Sequence, residues 1–310
     1  MNLKKKFTPN FSIETLIEHC ENAEKIFVDG SIYDLNSFRK KTNDFKHFAE
    51  YNSEKLEVIV DWSKKLNTIS NLPQAESTRG ICEEIKKFQE IISNRLTHTV
   101  FQPIEKKRNG KRRFEVNNYE MAKYNKQLFS ELQNQIYEFY KQIHGKSPLL
   151  TKSENNLATT LTIISKIRSL KRKKGMSKFE KKQEAQYLKQ RDEELVARAI
   201  YSVIEGCEDI AIISNDSDIE RLVVASVELF NTRYFKQKIP AVVSRITNAK
   251  ILICNPRANS YRSDFTEKYK QIIDLKDLKY NERNELYEQL YKPKQEIVRF
   301  IKDEWVAKSF

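Results

Sequence analysis

The sequence predicts an α/β fold with a central, mainly parallel sheet, on three observations. Short apolar runs (Ile26 to Val28, Ile210 to Ser214, Ala249 to Cys254) alternate with amphipathic stretches of helical spacing. Two of these runs end in acid, at Asp29 and Asp216. Only 6 Gly and 7 Pro punctuate 310 residues, too few for a turn-rich all-β protein.

The elements follow in order. Ser12 to Ala23 reads as a short helix with Ser12 as N-cap and Glu14 in its first turn, where the helix dipole welcomes an acid. KIFVDGS, Lys25 to Ser31, is a buried strand closed by Asp-Gly. Phe45 to Lys65 is helical, with Leu56, Ile59, Val60 and Trp62 as its apolar positions. LNTIS, Leu66 to Ser70, is expected as a second strand, and Pro73 as the first-turn proline of a long helix that carries Glu76. Tyr124, Leu128, Leu132, Ile136, Tyr137 and Tyr140 mark a helix between Glu120 and Ile143. RDEELVARAIYSVIEG, from Arg191, is amphipathic and opens on Asp192. IAIISND then leads into a helix from Asp218 to Phe230, AKILIC is a further strand, and Asp274 to Lys308 is expected to be helical.

This order gives four segments: 1–96 and 191–256 as the two halves of the sheet domain, 97–190 as a basic helix-rich insertion, and 257–310 as a helical extension. A structureless loop as long as the insertion is foreign to compact domains, so it is expected to carry helices of its own.

Charge points to the partner. Lys and Arg number 56 against 43 Asp and Glu, a net +13, and counterion release gives such a chain affinity for polyanions. Two runs concentrate the charge. KKRNGKRR is a glycine-containing basic loop or hairpin tip with Lys106, Lys107, Arg108, Lys111, Arg112 and Arg113. KIRSLKRKKGMSKFEKK carries Lys171, Arg172, Lys173 and Lys174 at its centre. Phe101, Phe114, Tyr119, Phe179 and Tyr187 flank these runs and are candidates for stacking on unpaired bases. A solvated charge run is the plainer alternative.

Cys20, Cys82, Cys207 and Cys254 are scattered without a CxxC pair, which argues against a zinc ribbon and against a disulfide framework. The basic start MNLKKK lacks a following apolar core, and no run reaches about 18 apolar residues, so neither a signal peptide nor a membrane span is expected. The expectation is a reduced, cytoplasmic protein.

Open parallel sheets gather ligands at the carboxyl ends of their strands. Asp29 and Asp216 end two strands there, with Asp218 just beyond. Asp192 opens the helix that returns into the second strand, so it starts at the edge where that strand ends. Glu76, in the first turns of the helix after the second strand, is expected to approach the same edge. Each alone is also an ordinary turn, cap or first-turn acid. Several like charges at one edge are costly unless neutralised, and oxygen-only ligation selects Mg²⁺ or Mn²⁺, one or two ions able to support phosphodiester cleavage. Ser31, Ser214 and Asn215 stand beside these acids as hydrogen-bond donors to phosphate, metal waters or the carboxylates.

DEELVARAI followed by IAIISNDSDIERL resembles the C-terminal half of PIN-domain nucleases: a helix opening on Asp192 with small residues Ala197 and Ala199, then a strand ending in Ser214, Asp216 and Asp218. KIFVDGS resembles the family's first strand with its leading Asp29, and Glu76 is similar in place to the second acid. The resemblance covers about 100 residues of the chain. It implies a PIN-like three-layer fold and a magnesium- or manganese-dependent endoribonuclease, or in the related flap-nuclease branch a DNA nuclease. Asp29, Asp192, Asp216 and Asp218 would be metal ligands, with Glu76 beside them in catalysis. The basic insertion and C-terminal extension depart from a minimal domain of this kind. RNA is the expected partner ahead of DNA, a homodimer surface or protein regulator is a further option for the helical tail, and a non-catalytic scaffold of the same fold is the rival from another class.

Overall fold

The computed structural model describes residues 13–33, 47–101, 105–108, 111–114, 117–148, 155–169, 191–254, 272–276, 278–299 and 301. It divides into two compact units: a sheet unit of Met1–Ile32, Gln74–Ile81 and Ser147–Phe310, and a helical unit of Tyr33–Pro73 and Cys82–Lys146.

The sheet unit is built on β1 (Lys25–Val28), β2 (Ala75–Glu76), β5 (Asp209–Ile213), β6 (Lys250–Cys254) and β7 (Ile272–Asp274), in the order β2-β1-β5-β6-β7. The first four are mutually parallel, and β7 closes the edge antiparallel to β6. Ile26, Phe27 and Val28, Ile210 to Ile213, and Ile251 to Cys254 are all buried. Consecutive strand residues face opposite sides, so burial of every one demands cover on both faces. The predicted α/β class with a mainly parallel sheet and layers on both sides is what the chain adopts.

Helices α1 (Ile13–Asn22) and α6 (Arg191–Glu205) lead into β1 and β5, and α7 (Ser217–Phe230), α8 (Arg233–Lys238) and α9 (Pro240–Asn248) connect β5 to β6. Gly206 ends α6 at φ +118°, a conformation L side chains rarely adopt, while the Cys207 amide bonds back to the Ser202 carbonyl at 3.0 Å. Helix α5 (Asn155–Ser169) packs on α6 and α7, burying Ile163, Ile164 and Ile167. Leu222 to Phe230 of α7 are buried without interruption, as in a helix enclosed by core. Among those residues is Glu228, held by Arg283 of α10 (Tyr280–Leu290) at 2.7 Å and Lys294 of α11 (Lys294–Arg299) at 3.1 Å. The extension therefore docks on the sheet unit through an ion triad around buried Glu228 and adds the strand β7, where only helix was expected.

In the helical unit, α2 (Ser53–Asn71) packs on α4 (Asn117–Gly145). Lys64 meets Glu131, Asn67 meets Gln135 and Ser70 meets Gln142, so the two helices run in the same direction. Lys146 then caps the end of α2 through the carbonyls of Ser70 and Leu72, at 2.7 and 2.6 Å. Buried Asn125 donates to the carbonyls of Phe48 and Tyr51, whose rings pack with Phe129. Helix α3 is Arg79–His98, and β3 (Glu105–Arg108) with β4 (Lys111–Phe114) form a separate antiparallel hairpin.

Several expectations are corrected. LNTIS lies inside α2: Leu56, Val60, Ser63, Leu66 and Ser70 are buried at helical spacing, and that period overrides the short β-like run. Pro73 sits in a turn, Ala75–Glu76 form the strand, and α3 begins only at Arg79 behind Thr78, whose hydroxyl accepts the Ile81 amide at 3.3 Å. By contact, α2 lies in the helical unit, while α5 and β7 lie with the sheet. Ser12, Phe45 and Lys46 lie outside the described residues, as do Lys302 to Lys308 of the predicted tail helix. Among the described residues no helix is long and apolar enough to cross a membrane, and the four cysteines are free thiols.

Candidate functional site

Strand ladder bonds fix the first two acids. The Asp29 amide donates to the Ile213 carbonyl at 3.0 Å and the Ser214 amide to the Cys254 carbonyl at 2.9 Å, so pairing continues past the ends of β1 and β5. Asp29 is 3% exposed. Its Oδ2 accepts the Ser214 hydroxyl at 2.7 Å and also the Ser31 hydroxyl. Ser214 Oγ in turn accepts the Asp216 amide at 2.9 Å. Ser31 Oγ accepts the Asn215 amide at 2.9 Å, and the Asn215 side chain donates to the Ser31 carbonyl at 3.0 Å. Ser31, Ser214 and Asn215 thus lock the end of β1 to the loop after β5. Asp216 is the N-cap of α7 and accepts the Asp218 amide at 2.8 Å.

The other side of the cluster is ionic. Arg168, in the last turn of α5, reaches Asp192 Oδ2 with Nη1 at 2.9 Å, Glu193 Oε1 with Nε at 3.3 Å and Asp218 Oδ2 with Nη2 at 3.8 Å. Arg221 lies 3.5 Å from the second oxygen of Asp218. Burial pushes the Asp192 carboxyl up to about 7; Arg168 opposes the rise, while the charges of Asp29, Asp216 and Glu193 add to it. Burial weakens the proton's hold on Arg168, but Asp192, Glu193, Asp218 and Asp216 outweigh that and raise its affinity further. Buried Tyr291, at the end of α10, is held far above the usual phenol range, first by burial and then by Asp218.

Asp29, Asp192, Asp216 and Asp218 therefore meet at the carboxyl edge of β1 and β5. Glu76 does not join them. It lies in β2 rather than on a helix, and its carboxylate is 3.5 Å from the ammonium of Lys25, the first residue of β1. Lys25 to Asp29 spans about 13 Å of strand, so Glu76 serves the opposite edge, where with Glu24 it adds to the burial that raises the Cys207 thiol.

Among the described residues, no three of His, Cys, Asp or Glu stand together as a ready-made metal cage. The acids here present only oxygen donors, and Asp192 holds its proton more tightly first through burial, with Asp29, Asp216 and Glu193 adding to the rise against Arg168. Magnesium keeps most of its waters and needs only one or two direct carboxylates. An ion drawn to this edge would have Asp29, Asp192 and Asp216 as its nearest carboxylates.

Arg168 and Glu193 also belong to the cluster, though the sequence does not single them out. Arg168 lies near the start of a basic run and its type alone does not separate it from solvated neighbours; the one usable signal is its position directly after the apolar Ile163, Ile164 and Ile167. Of the basic candidates, Lys106, Lys107, Arg108, Lys111, Arg112 and Arg113 lie in the β3–β4 hairpin, and Lys171, Arg172, Lys173 and Lys174 fall outside the described residues. Phe101 packs edge-on against half-exposed Tyr119, with Lys126 over its ring at 5.2 Å. Phe179 and Tyr187 also fall outside the described residues.

No protein-family model, curated protein or solved structure matches this chain.

Proposed function

We propose that the protein is a divalent-metal-dependent, PIN-like endonuclease that hydrolyses phosphodiester bonds, with RNA as substrate. The observation that supports this most is the meeting of Asp29, Asp192 and Asp216, from three separate parts of the chain, at the one sheet edge where parallel folds place their chemistry. Bound Mg²⁺ or Mn²⁺ would supply a Lewis acid for the phosphate and a water acidic enough to lose its proton near neutral pH. Asp29 is pre-aimed for this task by two serine hydroxyls, and Asp216 by its own cap geometry, so neither has to reorganise. To hold a cation Asp192 would have to give up the proton that burial favours, which would couple metal affinity to pH.

The hairpin supports a polyanionic substrate. Its register sets Lys106 opposite Arg113, Lys107 opposite Arg112 and Arg108 opposite Lys111. Six basic residues on one short ribbon concentrate positive charge, and release of condensed counterions favours phosphate binding by such a segment.

The test is Mn²⁺-dependent cleavage of labelled single-stranded RNA and of flapped DNA. Asp29→Asn and Asp216→Asn should each lower RNA cleavage about 100-fold or more while leaving nucleic-acid affinity near that of the wild type. Preference for the flap would shift the substrate to DNA. One observation favours a non-catalytic scaffold: Arg168 already neutralises part of the cluster. Wild-type protein that binds RNA but cleaves neither substrate would establish that reading instead.

A further inference from the structure

The β3–β4 hairpin springs from two anchored points of the helical unit. Phe101 stands just before β3, and Tyr119 just after β4, in the first turn of α4. The Val100 carbonyl accepts the Phe48 amide at 3.1 Å, and Asn125, further along α4, donates to the carbonyls of Phe48 and Tyr51. Both points are thus tied to the same stretch of backbone. There the two rings meet nearly edge to face, with centroids 5.3 Å apart and planes at 67°. The Lys126 ammonium lies 5.2 Å from the Phe101 centroid and adds a cation to the pair.

A ring pair that served only to clasp the hairpin would gain most from burial, yet Tyr119 keeps 43% of its surface exposed. Val100 and Met121, close to the two rings in sequence, are exposed as well. This open apolar surface adjoins the ribbon whose register sets Lys106, Lys107 and Arg108 against Arg113, Arg112 and Lys111. Open aromatic surface beside concentrated positive charge complements one class of partner. An unpaired nucleic-acid strand offers a π-face with every base and a phosphate with every sugar, whereas a duplex hides its base faces in the stack. We infer that the root of the hairpin docks single-stranded nucleic acid, with an unpaired base stacked on Tyr119 and the neighbouring phosphates drawn to Lys126 and the cations of β3 and β4. This rests on the proposed nucleic-acid substrate and names its single-stranded state, and it needs no metal ion.

The experiment is fluorescence anisotropy of the full chain, in chelator, with a labelled oligoadenylate strand and with a labelled RNA duplex of the same length. Folding of each variant is checked by circular dichroism. Wild type should prefer the strand. Tyr119→Ala should weaken strand binding about fivefold or more and leave duplex binding unchanged, while Tyr119→Phe, which keeps the ring, should stay within about twofold of wild type. The salt dependence of Tyr119→Ala should keep the wild-type slope, because stacking releases no counterions; Lys126→Gln should lower the slope by about 0.7. Should Tyr119→Ala not fold, Tyr119→Leu, which keeps apolar bulk without a π-face, decides in its place. Unchanged strand binding, equal losses on strand and duplex, or a wild-type preference for duplex would overturn the inference and leave the nuclease reading standing. A dimer that Tyr119→Ala dissolves, with strand binding intact, would give this surface to a second copy of the chain and also overturn it. Wild type that binds neither probe would overturn both.

Discussion

Ser214 carries more of the site than its size suggests. Its hydroxyl donates to Asp29 at 2.7 Å and accepts the Asp216 amide at 2.9 Å, so one buried oxygen ties together two acids 187 positions apart in the chain. Ser214→Ala leaves both groups short of a partner and should destabilise the protein by about 1–3 kcal/mol in urea unfolding; an unchanged midpoint would show that the link is dispensable. Asp192 gives a second residue-scale prediction. Its folded carboxyl holds its proton up to about 7, whereas in the unfolded chain it is lost near 3.8. The folded state therefore binds more protons in that window, so metal-free stability falls as pH rises from about 4 to about 7 and the penalty is full above that. Asp192→Asn removes it and should stabilise the protein at pH 8 by on the order of 1 kcal/mol or more, with little gain at pH 4. Unfolding at both pH values in chelator checks this, and a variant weaker than wild type at pH 8 would refute it. Single residues were legible where type and position agreed, as with Asp29 ending an apolar run. Glu76 was misplaced because an acid after a proline reads equally well as a first-turn helix residue or as a strand residue.

The elements were legible where period and length agreed. Three apolar runs became β1, β5 and β6, and the helix opening on Asp192 runs from Arg191 to Glu205. LNTIS misled because five residues are too few to reveal that they complete the stripe begun at Leu56. Strand β7 went unseen because three residues at the rim of a charged tail carry no readable period. The tail's docking yields a prediction of its own. Glu228 is 1% exposed and compensates both Arg283 and Lys294, so Glu228→Ala strands two cations in a nearly dry environment. A loss of about 3 kcal/mol is expected in denaturant unfolding, well beyond that of Lys292→Ala, whose pairing with Glu296 is half-exposed. Equal small losses for the two would mean the triad does not fasten the tail. For the hairpin, replacing Lys107 and Arg112 with Gln should weaken RNA binding and flatten its salt dependence by about two units of log–log slope; an unchanged slope would remove β3–β4 from the interface.

At the scale of the whole molecule, the α/β class follows from alternation along the chain and survives in the fold, whereas the division into units does not follow from composition. The helical unit draws on both sides of β2, taking 33–73 and 82–146, because contacts between α2 and α4 are set by matched helical faces rather than by charge. Net charge likewise says that a polyanion is a fitting partner without saying that one of the most basic-looking segments lends an arginine to the acid cluster. The proposed function has this cluster hold a metal ion for phosphodiester chemistry. Anomalous diffraction from a crystal soaked in Mn²⁺ tests it most directly. A manganese peak about 2.1 Å from oxygens of Asp29 and Asp216 is the predicted result. Manganese absent from the cluster while all its carboxylates remain tied to arginine and serine would contradict it.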